Sequence, residues 1–107
     1  PRYDGNTKAY LFKPMDTVKR REMALVLEDI LIRITGDNKI ASTYLGHEKS
    51  PFTDVKPTSH FYNAVMTVTT RGLMEGETTG EFMPDEPVSG EDALLAIRVL
   101  KQKMNIN

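Results

Sequence analysis

The sequence predicts an all-α fold, and three observations carry that reading. A phrase occurs twice: Phe12-Lys13-Pro14 leading to Val18-Lys19-Arg20-Arg21-Glu22-Met23-Ala24, and Phe82-Met83-Pro84 leading to Val88-Ser89-Gly90-Glu91-Asp92-Ala93-Leu94. Phe, Pro and Val stand at identical offsets, and an acid (Glu22, Asp92) follows at the same later place. Each unit then runs into a stretch with apolar residues at helical spacing, and a third such stretch lies between them. Turn and cap residues bound all three. One unit of such a repeat cannot bury its own apolar face, so units pack on each other.

Residues 1–17 read as irregular, with a turn signal at Asp4-Gly5-Asn6 and Pro14 marking the approach to a helix. A helix is expected over 18–35, where Met23, Val26, Leu27, Ile30 and Ile34 share one stripe. Thr17 is the better of two candidate caps, because its hydroxyl can accept a backbone N–H where Lys19 offers no acceptor. Asp29 and Arg33 form an i,i+4 pair with the acid first. Thr35-Gly36-Asp37-Asn38 ends the helix. Residues 36–59 are polar and turn-rich, with a short helical turn expected around Ile40, Tyr44 and Leu45. Pro51 and Pro57 bracket Phe52-Thr53-Asp54-Val55, which should be extended.

Residues 60–71 set propensity against pattern. Met66-Thr67-Val68-Thr69-Thr70 favours a strand. Phe61, Ala64, Val65 and Val68 lie on one helical stripe, Ser59 is placed to cap it, and Arg71-Gly72-Leu73 suits a Schellman ending. Pattern and both end signals outweigh propensity, so a helix is expected. After a loop with Phe82 as a core anchor, a last helix spans 88–104. Ser89 caps it, Asp92 stands at the returning place of a capping box, and Lys101 and Lys103 suit its C-terminal end. Ala93, Ala96, Ile97, Leu100 and Met104 form its main stripe. Leu94, Leu95 and Val99 lie off that stripe, which predicts burial between neighbours. Phe12, Phe82, Val18 and Val88 are expected in equivalent buried places.

Length and charge narrow the function. The chain has 107 residues and a net charge of −1, with no Lys/Arg-rich run, which argues against nucleic acid as a principal partner. It has no membrane-spanning apolar stretch and no signal peptide. It begins without Met, inside a repeat, and so reads as a piece of a larger protein. Cysteine is absent, which excludes thiolate and disulfide chemistry. No nucleophile elbow, phosphate loop or His-Glu-x-x-His motif occurs, so no catalytic residue is assigned. His47 and His60 lie far apart without further ligands, and Asp85-Glu86 lacks calcium-loop spacing, so no metal or other cofactor is expected.

Residues 52–104 resemble one complete repeat of the S-layer homology family. Phe52-Thr53-Asp54-Val55 matches the opening Phe-x-Asp-Val phrase, and Ser59-His60-Phe61 loosely matches a His-Trp-Ala helix start. Ala64-Val65, Gly72-Leu73-Met74-Glu75-Gly76 and Gly80-Glu81-Phe82-Met83-Pro84 follow in the family's order. Val88-Ser89-Gly90-Glu91-Asp92 takes the place of Ile-Thr-Arg-Ala-Glu. Residues 12–33 resemble the second half of a preceding repeat, with Val18-Lys19-Arg20-Arg21-Glu22 in that same phrase. The resemblance implies three segments: 1–35 as the end of one repeat, 36–51 as a linker, and 52–107 as a complete repeat. It implies helix–loop–helix units packed as part of a pseudo-threefold bundle. It further implies a non-enzymatic, secreted cell-surface anchor that binds a cell-envelope polysaccharide, often pyruvylated, in grooves between repeats. The sequence departs from the family at Gly90, which replaces the arginine, at Phe61, which stands where the tryptophan is usual, and in holding only one and a half repeats.

Two residues carry the expected binding. The resemblance assigns Arg20 to the acidic glycan group, and a guanidinium can clamp a carboxylate through two hydrogen bonds. Its place in a first helical turn adds unpaired N–H groups and the helix dipole. The plainer reading is that Arg20 pairs with a neighbouring acid and orients the helix. His60 either lines a sugar groove or only continues a helix start, and a lone His without a sequence partner favours the second. Asp54 is expected to pin a loop. Gly90 favours a different class of function, in which a degenerate module packs against the rest of a larger parent or self-associates. A dockerin-like helix pair, suggested by Asp92-Ala93-Leu94-Leu95-Ala96, lacks calcium ligands.

Overall fold

The computed structural model describes residues 17–104 in full and residues 2–4 and 9–11 by their backbone. The elements run β1 (Arg2–Asp4), β2 (Ala9–Leu11), β3 (Thr17–Lys19), α1 (Arg20–Thr35), a 3₁₀ turn (Asn38–Ser42), α2 (Tyr62–Thr70), β4 (Pro87–Ser89) and α3 (Gly90–Lys103). All three expected helices are present, and helix dominates. Two features depart from a purely helical chain. β1 and β2 pair antiparallel, Tyr3 opposite Tyr10, where an irregular segment was expected. β3 and β4 form a second antiparallel pair. Phe12 and Pro14 lie outside the described residues.

The β3–β4 pairing explains the repeated phrase. Val18 faces Val88 directly, Thr17 faces Ser89 and Lys19 faces Pro87. The two units thus meet at their equivalent valines about a local twofold axis, and each strand feeds its helix one residue past Lys19 or Ser89. The first helical N–H groups of α1 finish this junction: Arg20 N–H donates to the Glu86 carbonyl and Arg21 N–H to that of Pro84, each at 2.9 Å. Thr17 therefore does not cap α1. It is held in the ladder, and Lys19 takes the cap position, its N–H donating to Glu22 Oε1 at 2.9 Å. Val18 is buried, but Val88 is only half-buried, so the two valines are paired without being equally covered.

Helix α1 is the centre of the core. Beyond the expected stripe it buries Ala24 and Leu31, because α2 and α3 both pack on it; Ile34, near its end, is half-buried. The Asp29–Arg33 pair forms at 3.0 Å.

Helix α2 shows how tertiary packing overrides strand propensity. Thr67, Thr69 and Thr70 donate their hydroxyls to the carbonyls four residues back, at 2.8, 2.8 and 2.7 Å, which satisfies β-branched residues inside a helix. The helix ends as a Schellman turn, with Gly72 at φ 73° and Leu73 N–H on the Val68 carbonyl at 2.8 Å. Its start differs from expectation. Ser59 gives no side-chain cap; its carbonyl accepts from Tyr62 N–H at 3.1 Å.

Residues 36–51 fold onto α2. Ile40 is buried, and Asn63, buried in α2, donates to the Ile40 carbonyl at 2.8 Å and accepts from Tyr44 N–H at 2.8 Å. Asn63 also donates to Glu28 of α1 at 2.6 Å, so one amide ties three segments together. His47 Nδ1 lies 3.0 Å from the hydroxyl of fully buried Tyr62.

The stretch Phe52–Val55 is a turn, with Val55 N–H facing the Phe52 carbonyl at 3.4 Å, instead of the expected extended run. The turn aims Asp54 back at the second loop, where its two carboxylate oxygens accept from Phe82 N–H and Met83 N–H at 2.8 and 2.9 Å. Asp54 thus pins the loop. Phe82 is fully buried, edge-on to Phe52 at 5.7 Å, and its burial is worth about 1.5–3 kcal/mol.

Candidate functional site

The helix start of the first unit meets the loop and helix start of the second, and Arg20 stands at this junction. α1 presents Lys19, Arg20 and Arg21 in succession because the β3–β4 pairing holds its N-terminus against residues 84–86. The two arginines are used differently. Arg20 is half-buried and turned inward: Nε donates to the Phe82 carbonyl at 2.9 Å, Nη2 to the Glu75 carbonyl, and the guanidinium lies 4.6 Å above the Phe82 ring. It clamps the 75–82 loop onto α1.

Arg21 is also half-buried but turns toward Asp85 and Phe61. Its Nε is 3.4 Å from Asp85 Oδ1 and its guanidinium lies 5.8 Å from the Phe61 ring centre. His60, exposed, stands edge-on to Phe61 at 5.2 Å. Lys19 approaches the same Asp85 at 4.0 Å. Beside this group an open recess of about 290 Å³ is lined by Asp54, Met83, Pro84, Asp85 and Glu86. The structure thus brings His60 to the side of the junction that Arg21 occupies, across an aromatic ring.

One expected element of the site is corrected. The first N–H groups of α1 are not open to an anion, since the Glu86 and Pro84 carbonyls already accept from them. Whatever recognition occurs here must use side chains. Reading by residue type singled out Arg20, because it occupies the motif position, and passed over Arg21. The signal was present: two adjacent arginines at a helix start point about 100° apart, so only one of them can face inward. No group of three or more His, Asp or Glu among the described residues is placed to hold a metal ion, and no helix there is long and apolar enough to cross a membrane.

A helical module of two related units, joined at equivalent strands and with a cationic–aromatic junction between them, is the class this geometry defines. The S-layer homology domain family model matches residues 51–94, the segment in which the sequence resembles that family. Domains of this family generally anchor proteins to the cell wall. No curated protein and no solved structure matches the chain significantly.

Proposed function

We propose that this chain is a non-enzymatic anchoring module of a secreted surface protein and binds an acidic envelope glycan at the junction between its two units. The observation that carries this reading is the juxtaposition of Arg21 and His60 about the Phe61 ring. A flat apolar ring suits a sugar face, and a guanidinium beside it suits a carboxylate. Asp85 engages Arg21 through Nε, and the hydrogen-bond partners found among the described residues leave the Nη edge open to a ligand. Arg20 serves the same site from behind, holding the loop that carries Asp85. In this reading the units belong to a pseudo-threefold bundle completed by further repeats of a larger parent, and Gly90, in the place equivalent to Arg20, provides no second clamp.

The test is co-sedimentation with purified cell-wall sacculi, with and without their secondary polymer. Binding should require the polymer and weaken as salt rises, because exposed charges carry part of the attraction. Arg21→Ala and His60→Ala should each weaken it. Sacculi that retain no wild-type protein would refute the glycan reading.

A further inference from the structure

Helix α3 was expected to be apolar on two sides and buried on both, yet Leu94 and Leu95 are 37% and 55% exposed. They belong to a stripe that the core does not use. At 100° per residue, Glu91, Leu94, Leu95 and Arg98 fall within about one 100° sector of the helix. Glu91 and Arg98 are both exposed, and neither takes part in any ion pair found among the described residues.

The order of these four residues has a property of its own. The midpoint between Leu94 and Leu95 is also the midpoint between Glu91 and Arg98. A twofold axis through that midpoint, perpendicular to α3, sets Glu91 of one chain opposite Arg98 of another and Leu94 opposite Leu95. The stripe is therefore complementary to itself in charge and in apolar content, as an isologous interface requires.

We infer that this face of α3 is a self-association surface whose partner is a second copy of the chain, packed antiparallel across the α3 helices. The two leucine pairs form the centre, and two Glu91–Arg98 pairs flank it and set the direction. α3 has 14 residues and is about 21 Å long. A contact along one such helix falls at the small end of protein interfaces, so the dimer forms and dissociates with concentration.

Sedimentation equilibrium of the whole chain from micromolar to near-millimolar concentration tests this, with circular dichroism showing that each variant is folded. The wild type should pass from monomer to dimer. Leu95→Asp should stay monomeric. Glu91→Arg and Arg98→Glu, each alone, turn two attractive pairs into two repulsive ones and should weaken association about tenfold. Mixed together, the two variants should recover it as a heterodimer, because each then meets the opposite charge twice. A parallel arrangement, in which the wild type already sets like charges together, would not show the loss in the single variants. A wild type that is monomeric throughout, as it would be if only other repeats of a parent cover this face, overturns the inference. So does association that ignores Leu95→Asp, or a mixture no tighter than its components.

Discussion

Replacing Arg20 with Ala separates a clamp from a ligand contact. The side chain makes two hydrogen bonds to loop carbonyls, at Phe82 and Glu75, and lies over the Phe82 ring. A hydrogen bond from a charged donor contributes about 1.5–3 kcal/mol, and the half-exposed setting puts these at the low end. The cation–π contact adds about 0.5–1 kcal/mol. Truncation should therefore cost about 3.5–4 kcal/mol, a fall in Tm of roughly 15–25 °C for a chain of this size. Urea unfolding followed by circular dichroism measures it. Arg20→Lys should recover less than half, since one ammonium cannot reproduce a fork spanning two carbonyls. Arg21→Ala is the control: its partly exposed pair with Asp85 should cost less than about 1 kcal/mol, while sacculus binding falls. An Arg20→Ala protein within about 0.5 kcal/mol of wild type would refute the clamp and return Arg20 to the role of direct glycan contact.

Three further outcomes follow from the same geometry. Phe82→Ala should cost about 3–5 kcal/mol, because the ring is fully buried between Arg20 and Phe52; a loss below about 1 kcal/mol in urea unfolding would show that the loop is not anchored. Gly76→Ala should destabilise by about 1–3 kcal/mol, since its Cβ would stand 2.5 Å from the Phe52 ring and 3.3 Å from the Glu81 carbonyl oxygen, and an unchanged Tm would contradict that contact. Burial pushes the Glu28 carboxyl up, the Asn63 hydrogen bond opposes this, and Asp29 adds to the rise. The folded state then holds the proton more tightly than the unfolded one, so Glu28 makes stability fall as pH rises from the usual carboxylate range through the raised value. Glu28→Gln keeps an acceptor for Asn63 and should flatten that part of the stability–pH curve; an unaltered curve would place the effect elsewhere.

Much of the fold is written in local sequence. The periodicity of Met23, Val26, Leu27 and Ile30, the stop at Gly36 and the Gly72-Leu73 ending all act within one or two helical turns, so short windows suffice to read them. The repeated Phe-Pro-Val phrase likewise marks two equivalent units and one buried anchor at Phe82. Ser89 was legible as a cap, and its hydroxyl accepts from Asp92 N–H at 3.1 Å. The order of motifs from Phe52 to Asp92 pointed to the S-layer homology family without any coordinates.

Tertiary structure decided the rest, because the deciding partners are distant in the chain. Thr17 suits a helix cap by type, but Ser89 claims its backbone for a ladder 72 residues away. Asp54 turns a segment that its flanking prolines would leave extended, because the Phe82 and Met83 N–H groups need an acceptor. Asn63 looks like a flaw in an apolar stripe until Glu28, Ile40 and Tyr44 converge on it. Nor could the sequence divide the work between Arg20 and Arg21. Both carry the same charge at the same helix start. Which one faces inward depends on where the Glu75 and Phe82 carbonyls stand, and only the packing of one unit against the other sets that.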